Sequence, residues 1–395
     1  MISGEPEIRI AILHMGLFYN GGGERTVLSQ AIELKKRGHE VKVFSPTVKA
    51  ECFPELRSEI KIEETAKVLP DEIPLRSGLG MVYSSLIIPY RQLSHFDAIV
   101  AHGQPSCWIA MNLKKRYRTP YVAYLHQINR FFSPRNVDKQ FGWGVDSSIK
   151  FLEAVHRGNV VLKEADICTV RSSDIVLTNS EWIKKKIKQY YKVEAQVLHP
   201  GVDTKRFVPK NRVEEHKYVL STNRHYPQKR LDYLIRCIKL ISKRAPDIRC
   251  IVTGAYTKYS RDLIKLAEHL KVTDNIVFTG NLPSEDLIRV YQNAYIYTFT
   301  SPEEDFGLGP LEAAACGVPS VVWDYAGPKE TVVDGKTGFR VKPYCLKEMA
   351  GRHIELLENE ALRDSMGQNA LRFVENRYTW RRHVAALEDY LEELC

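Results

Sequence analysis

Two glutamates, Glu304 and Glu312, bracket seven residues in the segment EEDFGLGPLE at 303–312, and the sequence between them is rich in glycine. Each part suits a different piece of a sugar- and phosphate-bearing ligand. Phe306, Gly307, Leu308 and Gly309 can bring backbone N–H groups close to a ligand, because glycine has no Cβ to hold it away. Pro310 suits the first turn of a following helix, and the unpaired amides of a helix start attract anions. Glu304, in the loop, can accept hydrogen bonds from sugar hydroxyls, and Glu312, in the first turns of the helix, can accept two from a ribose diol. A paired-carboxylate hydrolase is the competing use of two glutamates.

A second cluster, Thr222-Asn223-Arg224 and then Lys229, lies just ahead of another apolar helical pattern. Arg and Lys five apart on a loop suit a diphosphate, and their charges can stabilise a phosphate leaving group as its bond to a sugar breaks. A solvated basic loop is the alternative. In the first half, Gly21-Gly22-Gly23-Glu24 follows a strand and opens a helix, so the amides of Gly22 and Gly23 can approach phosphate oxygens. A dinucleotide fingerprint would need glycine at 26, where the chain has Thr26, and a flexible surface turn is the other reading. His126 directly follows the strand YVAYL, at the kind of strand end where reactive groups collect in α/β folds. His14 is a weaker candidate of the same kind, and His199 and His225 read as structural. The absence of any Asp-x-Asp pair leads us to expect no metal ion.

The elements that must carry these residues fall into two similar halves. Strands are expected at Ile8–Leu13, Glu40–Phe44, Ala98–Ala101, Tyr121–Tyr124 and Ile175–Asn179, with a helix over Thr26–Arg37 and a Ser180 cap before a Lys-rich helix. After His199-Pro200-Gly201 the alternation resumes. Strands are expected at Tyr218–Thr222, Cys250–Gly254, Ile276–Thr279, Tyr295–Phe299 and Ser320–Trp323. Helices are expected at Leu231–Ala245, Ser260–Leu270, Ser284–Asn293, near Pro310–Cys316 and over Tyr378–Leu394. This is an α/β pattern of two Rossmann-like, doubly wound domains, with ligands expected in a cleft at the strand C-terminal ends.

Taken together, these motifs resemble the family-4 retaining glycosyltransferases of the GT-B fold, over essentially the full length. That family pairs a Glu-x7-Glu motif, here Glu304 and Glu312, with an Arg-x4-Lys clamp, here Arg224 and Lys229, after a Pro-Gly-Val-Asp, here Pro200 to Asp203. The resemblance implies that Glu304 contacts the donor sugar, that Glu312 holds the ribose and that Asn281, after Phe278-Thr279-Gly280, meets the nucleobase. It also makes Gly22 and Gly23 the N-terminal donor loop, closing over the phosphates, and His126 the histidine that contacts the donor sugar near its anomeric carbon. Retention would follow from front-face attack, with the departing phosphate oxygen helping to take the acceptor proton. The implied domains are 1–199, completed by a C-terminal helix at 378–395, and 200–377. The motif GGGER, with Cys52-Phe53 and Gly327-Pro328-x-Glu330, resembles the α-mannosyltransferases that extend lipid-linked oligosaccharides, which suggests GDP-mannose as donor. UDP-glucose and UDP-N-acetylglucosamine stay open, as do an epimerase and a non-catalytic sugar-binding protein. No cofactor is expected beyond the nucleotide diphosphate sugar, which is a co-substrate.

Size and composition are consistent with this. At 395 residues the chain exceeds the ~250–300 at which a single core usually divides. No apolar run reaches the ~18 residues of a membrane span, and Glu5, Glu7 and Arg9 lead into a strand instead of a signal-peptide core, so a cytoplasmic location is expected. Eight scattered cysteines without a Cys-x-x-Cys pair read as reduced thiols. The net charge of +9 favours polyanions, but no nucleic-acid-binding motif is visible, and none is expected as a partner. Basic runs at Lys114, Lys115, Arg116 and Arg118, and at Lys184, Lys185, Lys186 and Lys188, read either as solvated helix faces or as contacts to anionic lipid headgroups or a lipid diphosphate acceptor. The expected partners are thus a nucleotide-sugar donor, a glycan or lipid-linked acceptor, and the cytoplasmic face of a membrane touched peripherally.

Overall fold

The computed structural model describes residues 8–65, 88, 90–141, 159–210 and 217–395; Glu5 and Glu7 lie outside them. The chain divides into two compact units. The first comprises 1–135, 142–201 and 380–395, and the second 136–141 and 202–379. The short helix Asn136–Phe141 therefore goes with the second unit, although it lies in the first half of the sequence.

The first unit is built on parallel strands β1 (Arg9–His14), β2 (Glu40–Ser45), β3 (Lys61–Glu64), β4 (Ala98–His102), β5 (Tyr121–Leu125), β6 (Ile175–Thr178) and β7 (Gln196–Val197), ordered β3-β2-β1-β4-β5-β6-β7. The apolar runs of β1, β4 and β5 are buried nearly end to end, as expected of strands covered on both faces. Strand order reverses between β1 and β4, where His14 and His102 are register partners at the C-terminal ends. The C-terminal helix, Trp380–Glu392, contributes Val384, Leu387 and Leu391 to the core that holds Val27, Leu28 and Ala31 of the Gly22–Lys36 helix. Each of the fully buried Val and Leu side chains stabilises the unit by roughly 1.5–3 kcal/mol. A polar contact fixes the same packing: His39 Nε2 lies 2.7 Å from Glu388 Oε1, and Arg37 Nε donates to Glu388 Oε2 at 2.6 Å.

The second unit repeats the plan with β8 (Tyr218–Thr222), β9 (Arg249–Thr253), β10 (Ile276–Gly280), β11 (Ile296–Phe299), β12 (Ser320–Trp323) and β13 (Gly338–Val341), ordered β10-β9-β8-β11-β12-β13. Here the order reverses between β8 and β11. The helix Leu231–Ile241 buries Leu231, Leu234, Ile235, Ile238 and Ile241, the stripe expected of a helix lying on a sheet.

Three boundaries differ from expectation for local reasons. The Leu231 helix stops at Ile241, well before the expected Ala245, a residue that precedes Pro246 and is thereby steered away from helical angles. The first helix begins at Gly22, four residues before Thr26, so the glycines form its first turn. The helix after β11 runs Leu308–Ala315 because Gly307, at φ +99°, takes the left-handed N-cap position that glycine adopts without steric cost. The short, charged edge strand β3 carried too little hydrophobic pattern to be foreseen.

Candidate functional site

In the second unit, the strand-end loops bring together residues that the sequence separates by about eighty positions. The loop after β8 carries Arg224 and leads into the single turn Pro227–Lys229. Lys229 Nζ lies 2.5 Å from Glu304 Oε2, and the Lys229 carbonyl accepts from Thr300 Oγ1 at 2.9 Å, so the loops after β8 and β11 are joined by a side-chain pair and a backbone contact. The Arg224 guanidinium sits 5.4 Å from the centre of the Tyr226 ring. Beyond Glu304, the Phe306 side chain turns into the core at 4% exposure and packs on Tyr378 at 5.9 Å. Gly307, Leu308 and Gly309 follow, and the first-turn amides of that helix lack intrahelical acceptors.

Glu312, one turn further on, is buried and sits at the end of a directed chain of hydroxyls. Tyr291 donates to Glu312 Oε2 at 2.7 Å. With its hydrogen committed there, the Tyr291 oxygen accepts from Thr222 at 2.6 Å, and Thr222 in turn accepts from Tyr297 at 2.9 Å. Burial holds the Tyr291 phenol well above its ordinary pKa, which keeps it a donor. Gly309 rests against this chain: a Cβ there would overlap the Tyr297 hydroxyl. Asn281 is exposed just after β10, beside Gly280, which the Tyr256 ring covers. Glu303, not singled out from sequence, is buried and accepts from the backbone N–H of Val137 at 2.8 Å, which ties the Asn136–Phe141 helix to this loop.

One further crossing shapes the same loop. The Gly327 N–H donates to the Glu304 carbonyl at 3.0 Å, and Gly327 lies so close to the Phe306 backbone that any side chain would overlap it.

In the first unit, Gly22 and Gly23 occupy the first helical turn, and a Cβ on Gly23 would lie 3.7 Å from His14 Nε2 and 3.9 Å from His126 Cδ2. The structure thus brings Gly23, His14 and His126 together at the C-terminal ends of β1 and β5, which flank β4. His126 is anchored through its carbonyl, which accepts from Asn179 Nδ2 at 3.0 Å, and its ring stacks on His102 with 5.1 Å between centroids. Behind it runs a line of polar side chains. His126 Nε2 is 2.9 Å from His102 Nδ1, and His102 Nε2 is 2.8 Å from Gln30 Oε1. Gln30 Nε2 is 2.8 Å from His383 Nε2, and His383 Nδ1 is 2.7 Å from the His199 carbonyl oxygen. Burial pushes His126 down to about 3, and His14 and His383 to about 4. Desolvation also holds His102 well below the usual range, with the charge of His126 the next contribution. These imidazoles are neutral at neutral pH. Gln30, His102 and His383 were not foreseen; the available signal was His102 closing the strand AIVAH in register with His14. His225 lies in the second unit, bonded to Ser260 at 2.9 Å, and burial lowers it to about 4.

A family model described as "Glycosyl transferases group 1" matches residues 203–373, and one described as "Glycosyltransferase Family 4" matches residues 20–206. The alpha-1,3/1,6-mannosyltransferase alg2 of Schizosaccharomyces pombe is 27% identical over 375 residues, covering 84% of this chain and 70% of that protein. A GDP-mannose-dependent alpha-(1-6)-phosphatidylinositol monomannoside mannosyltransferase from Mycolicibacterium smegmatis is 29% identical over 238 residues, covering 55% of this chain and 62% of that protein. Among solved structures, a sucrose-phosphate synthase from Thermosynechococcus elongatus superposes with a TM-score of 0.78 at 18% identity, covering 98% of this chain and 99% of that one. At that identity the likeness speaks to fold alone.

Proposed function

This chain belongs to the family-4 glycosyltransferases of the GT-B fold, and from that premise we propose that it transfers mannose from GDP-mannose to a glycan or lipid-linked acceptor, with retention of anomeric configuration. The observation that carries the donor assignment is the Lys229–Glu304 pair, 2.5 Å apart, beside the start of the Leu308–Ala315 helix. A cation, a carboxylate and helix-start amides brought together by neighbouring strand-end loops are what a sugar attached to a diphosphate requires. On this reading Arg224, Lys229 and the amides of Gly307, Leu308 and Gly309 hold the diphosphate and stabilise its charge as it leaves. Glu304 exchanges its contact with Lys229 for the hydroxyls of the sugar. Glu312 takes the ribose, and Asn281 the base. In the first unit, Gly22, Gly23 and His126 serve the phosphate and the sugar. The choice of mannose draws on the named activities of the two mannosyltransferases reported above.

No metal enters this scheme, because the basic side chains and amides do the charge work. Transfer therefore persists in excess chelator; a loss reversed by Mg²⁺ or Mn²⁺ would overturn that point. The reading as a whole is tested by calorimetric titration with GDP, UDP and their sugars, followed by an assay of transfer to a lipid-linked mannosyl acceptor. Binding of GDP and GDP-mannose, with no heat from UDP, is expected. Binding of uridine nucleotides alone would replace mannose with glucose or N-acetylglucosamine, and turnover of the donor without acceptor would point to an epimerase.

A further inference from the structure

The line of side chains behind His126 has a direction, and the direction follows from its far end. A backbone carbonyl only accepts, so His383 Nδ1 carries the hydrogen that reaches the His199 oxygen. A neutral imidazole has one N–H, which leaves His383 Nε2 as an acceptor. The Gln30 group facing it must then be the amide NH2, and this fixes the amide orientation, with Oε1 toward His102. An amide oxygen also only accepts, so His102 is protonated on Nε2 and bare on Nδ1. The hydrogen between His102 Nδ1 and His126 Nε2 therefore belongs to His126. Every hydrogen in the chain points away from His126, and His126 Nδ1 is left with its lone pair. Among the described residues, no hydrogen bond to Nδ1 competes for it.

We propose that His102, Gln30 and His383 are positioning residues that lock His126 in its Nε2–H tautomer, so that it meets the sugar only through Nδ1, as the acceptor of one sugar hydroxyl. This rests on the reading of the chain as a glycosyltransferase and deepens it, because it states which partner His126 can take. A ligand group that can only accept, such as a phosphate oxygen, finds no donor on the open edge of the ring. The neutral ring also contributes no positive charge and gives no proton to the leaving group, which leaves the stabilisation of the diphosphate to Arg224, Lys229 and the helix amides. The C-terminal helix is part of the device, since its His383 supplies the link to the carbonyl that sets the direction.

The test is long-range ¹H–¹⁵N correlation NMR on the full chain labelled at the histidine rings, without substrate, near pH 7. Loss of signals in His126→Gln, His102→Gln and His383→Gln assigns the three rings. The expected result is Nε2–H for His126 and His102 and the opposite tautomer, Nδ1–H, for His383. An imidazolium or an Nδ1–H tautomer at His126 overturns the proposal. A second arm uses Gln30→Met, which keeps the side-chain length and removes both amide bonds. His126 is expected to become a mixture of tautomers, and kcat to fall about tenfold with the acceptor KM unchanged. A single Nε2–H tautomer with wild-type kcat in that variant counts against the relay. Because the spectra are read without substrate, the expected tautomers in a protein that transfers no sugar would sink the transferase reading and not the relay. The wrong tautomer in an active enzyme would do the reverse.

Discussion

Lys229 and Glu304 keep 22% and 20% of their side chains exposed, and an ion pair so placed contributes only about 0–1 kcal/mol to stability. Its removal should therefore be felt in function and not in folding. Lys229→Ala and Glu304→Ala are expected to lower kcat/KM by about a hundredfold or more, with Tm moving by less than about 4 °C. Turnover close to wild type in either variant would refute the assignment. The buried histidines act the other way round. His126, at about 3, and His14 and His383, at about 4, take up protons only weakly when folded, whereas the unfolded chain does so near 6.5. Below that pH the unfolded state binds more protons. The stability contributed by the neutral rings is thus complete above about 6.5 and is lost progressively as the pH falls toward 4. Thermal melts between pH 7.5 and pH 4.5 should show Tm falling through this window, and a flat profile would contradict the burial of these rings. The motif residues were legible because their chemistry is local: a loop, two charges, a helix start. Their supports were not. Gln30 and His383 stand 353 positions apart, and Thr222, Tyr291 and Tyr297 meet Glu312 only after four elements have packed.

At the scale of elements, strand patterns were easier to read than helix ends. Apolar runs buried on both faces announce β1, β4, β5, β8 and β11, whereas the Gly22 helix starts on a glycine and the Leu308 helix is capped by one, residues that propensity alone assigns to loops. The loop crossing at Gly327 gives a direct test of how tightly the loop carrying Glu304 and Phe306 is held. Gly327→Ala must push the chain off the Phe306 backbone, at a cost of roughly 1–3 kcal/mol. Nucleotide affinity, read by calorimetry, should weaken with it. Unchanged affinity and stability would mean that the two segments do not touch as described. The helix Trp380–Glu392 can be tested by deletion. A chain ending at Thr379 loses Val384, Leu387 and Leu391 from the first core, and a single buried Leu→Ala already costs about 2–5 kcal/mol. The first unit should lose its cooperative transition while the second, whose core contains none of these residues, keeps its own. Two-step proteolysis followed by mass spectrometry separates the outcomes.

For the whole molecule, the net charge of +9 invited the thought of a membrane partner, and no helix among the described residues is long and apolar enough to cross one. The basic runs prove to be partly neutralised within the first unit. Lys114 pairs with Asp174 at 2.6 Å, Lys188 with Glu194 at 2.5 Å, and Lys184 approaches Glu181 at 3.7 Å. Lys186 lies over the Trp182 ring at 4.7 Å. We propose that the remaining surface charge still draws the protein to anionic lipid, each near-surface cation adding about 1 kcal/mol. Sedimentation with phosphatidylserine vesicles should fall with added salt, and the same sedimentation with neutral vesicles would exclude an electrostatic contact.

The two chain crossings at 201–202 and 379–380 are joined by one short bond, from the Val202 N–H to the Tyr378 carbonyl at 2.7 Å, and Val202 and Thr379 form a β-bridge. Apart from the Asn136–Phe141 helix, the second unit is therefore a cassette spliced into the first, with its two ends side by side. A gene that duplicates, permutes or exchanges residues 202–379 opens the host chain at a single place, so a replacement cassette can be inserted there without a new linker.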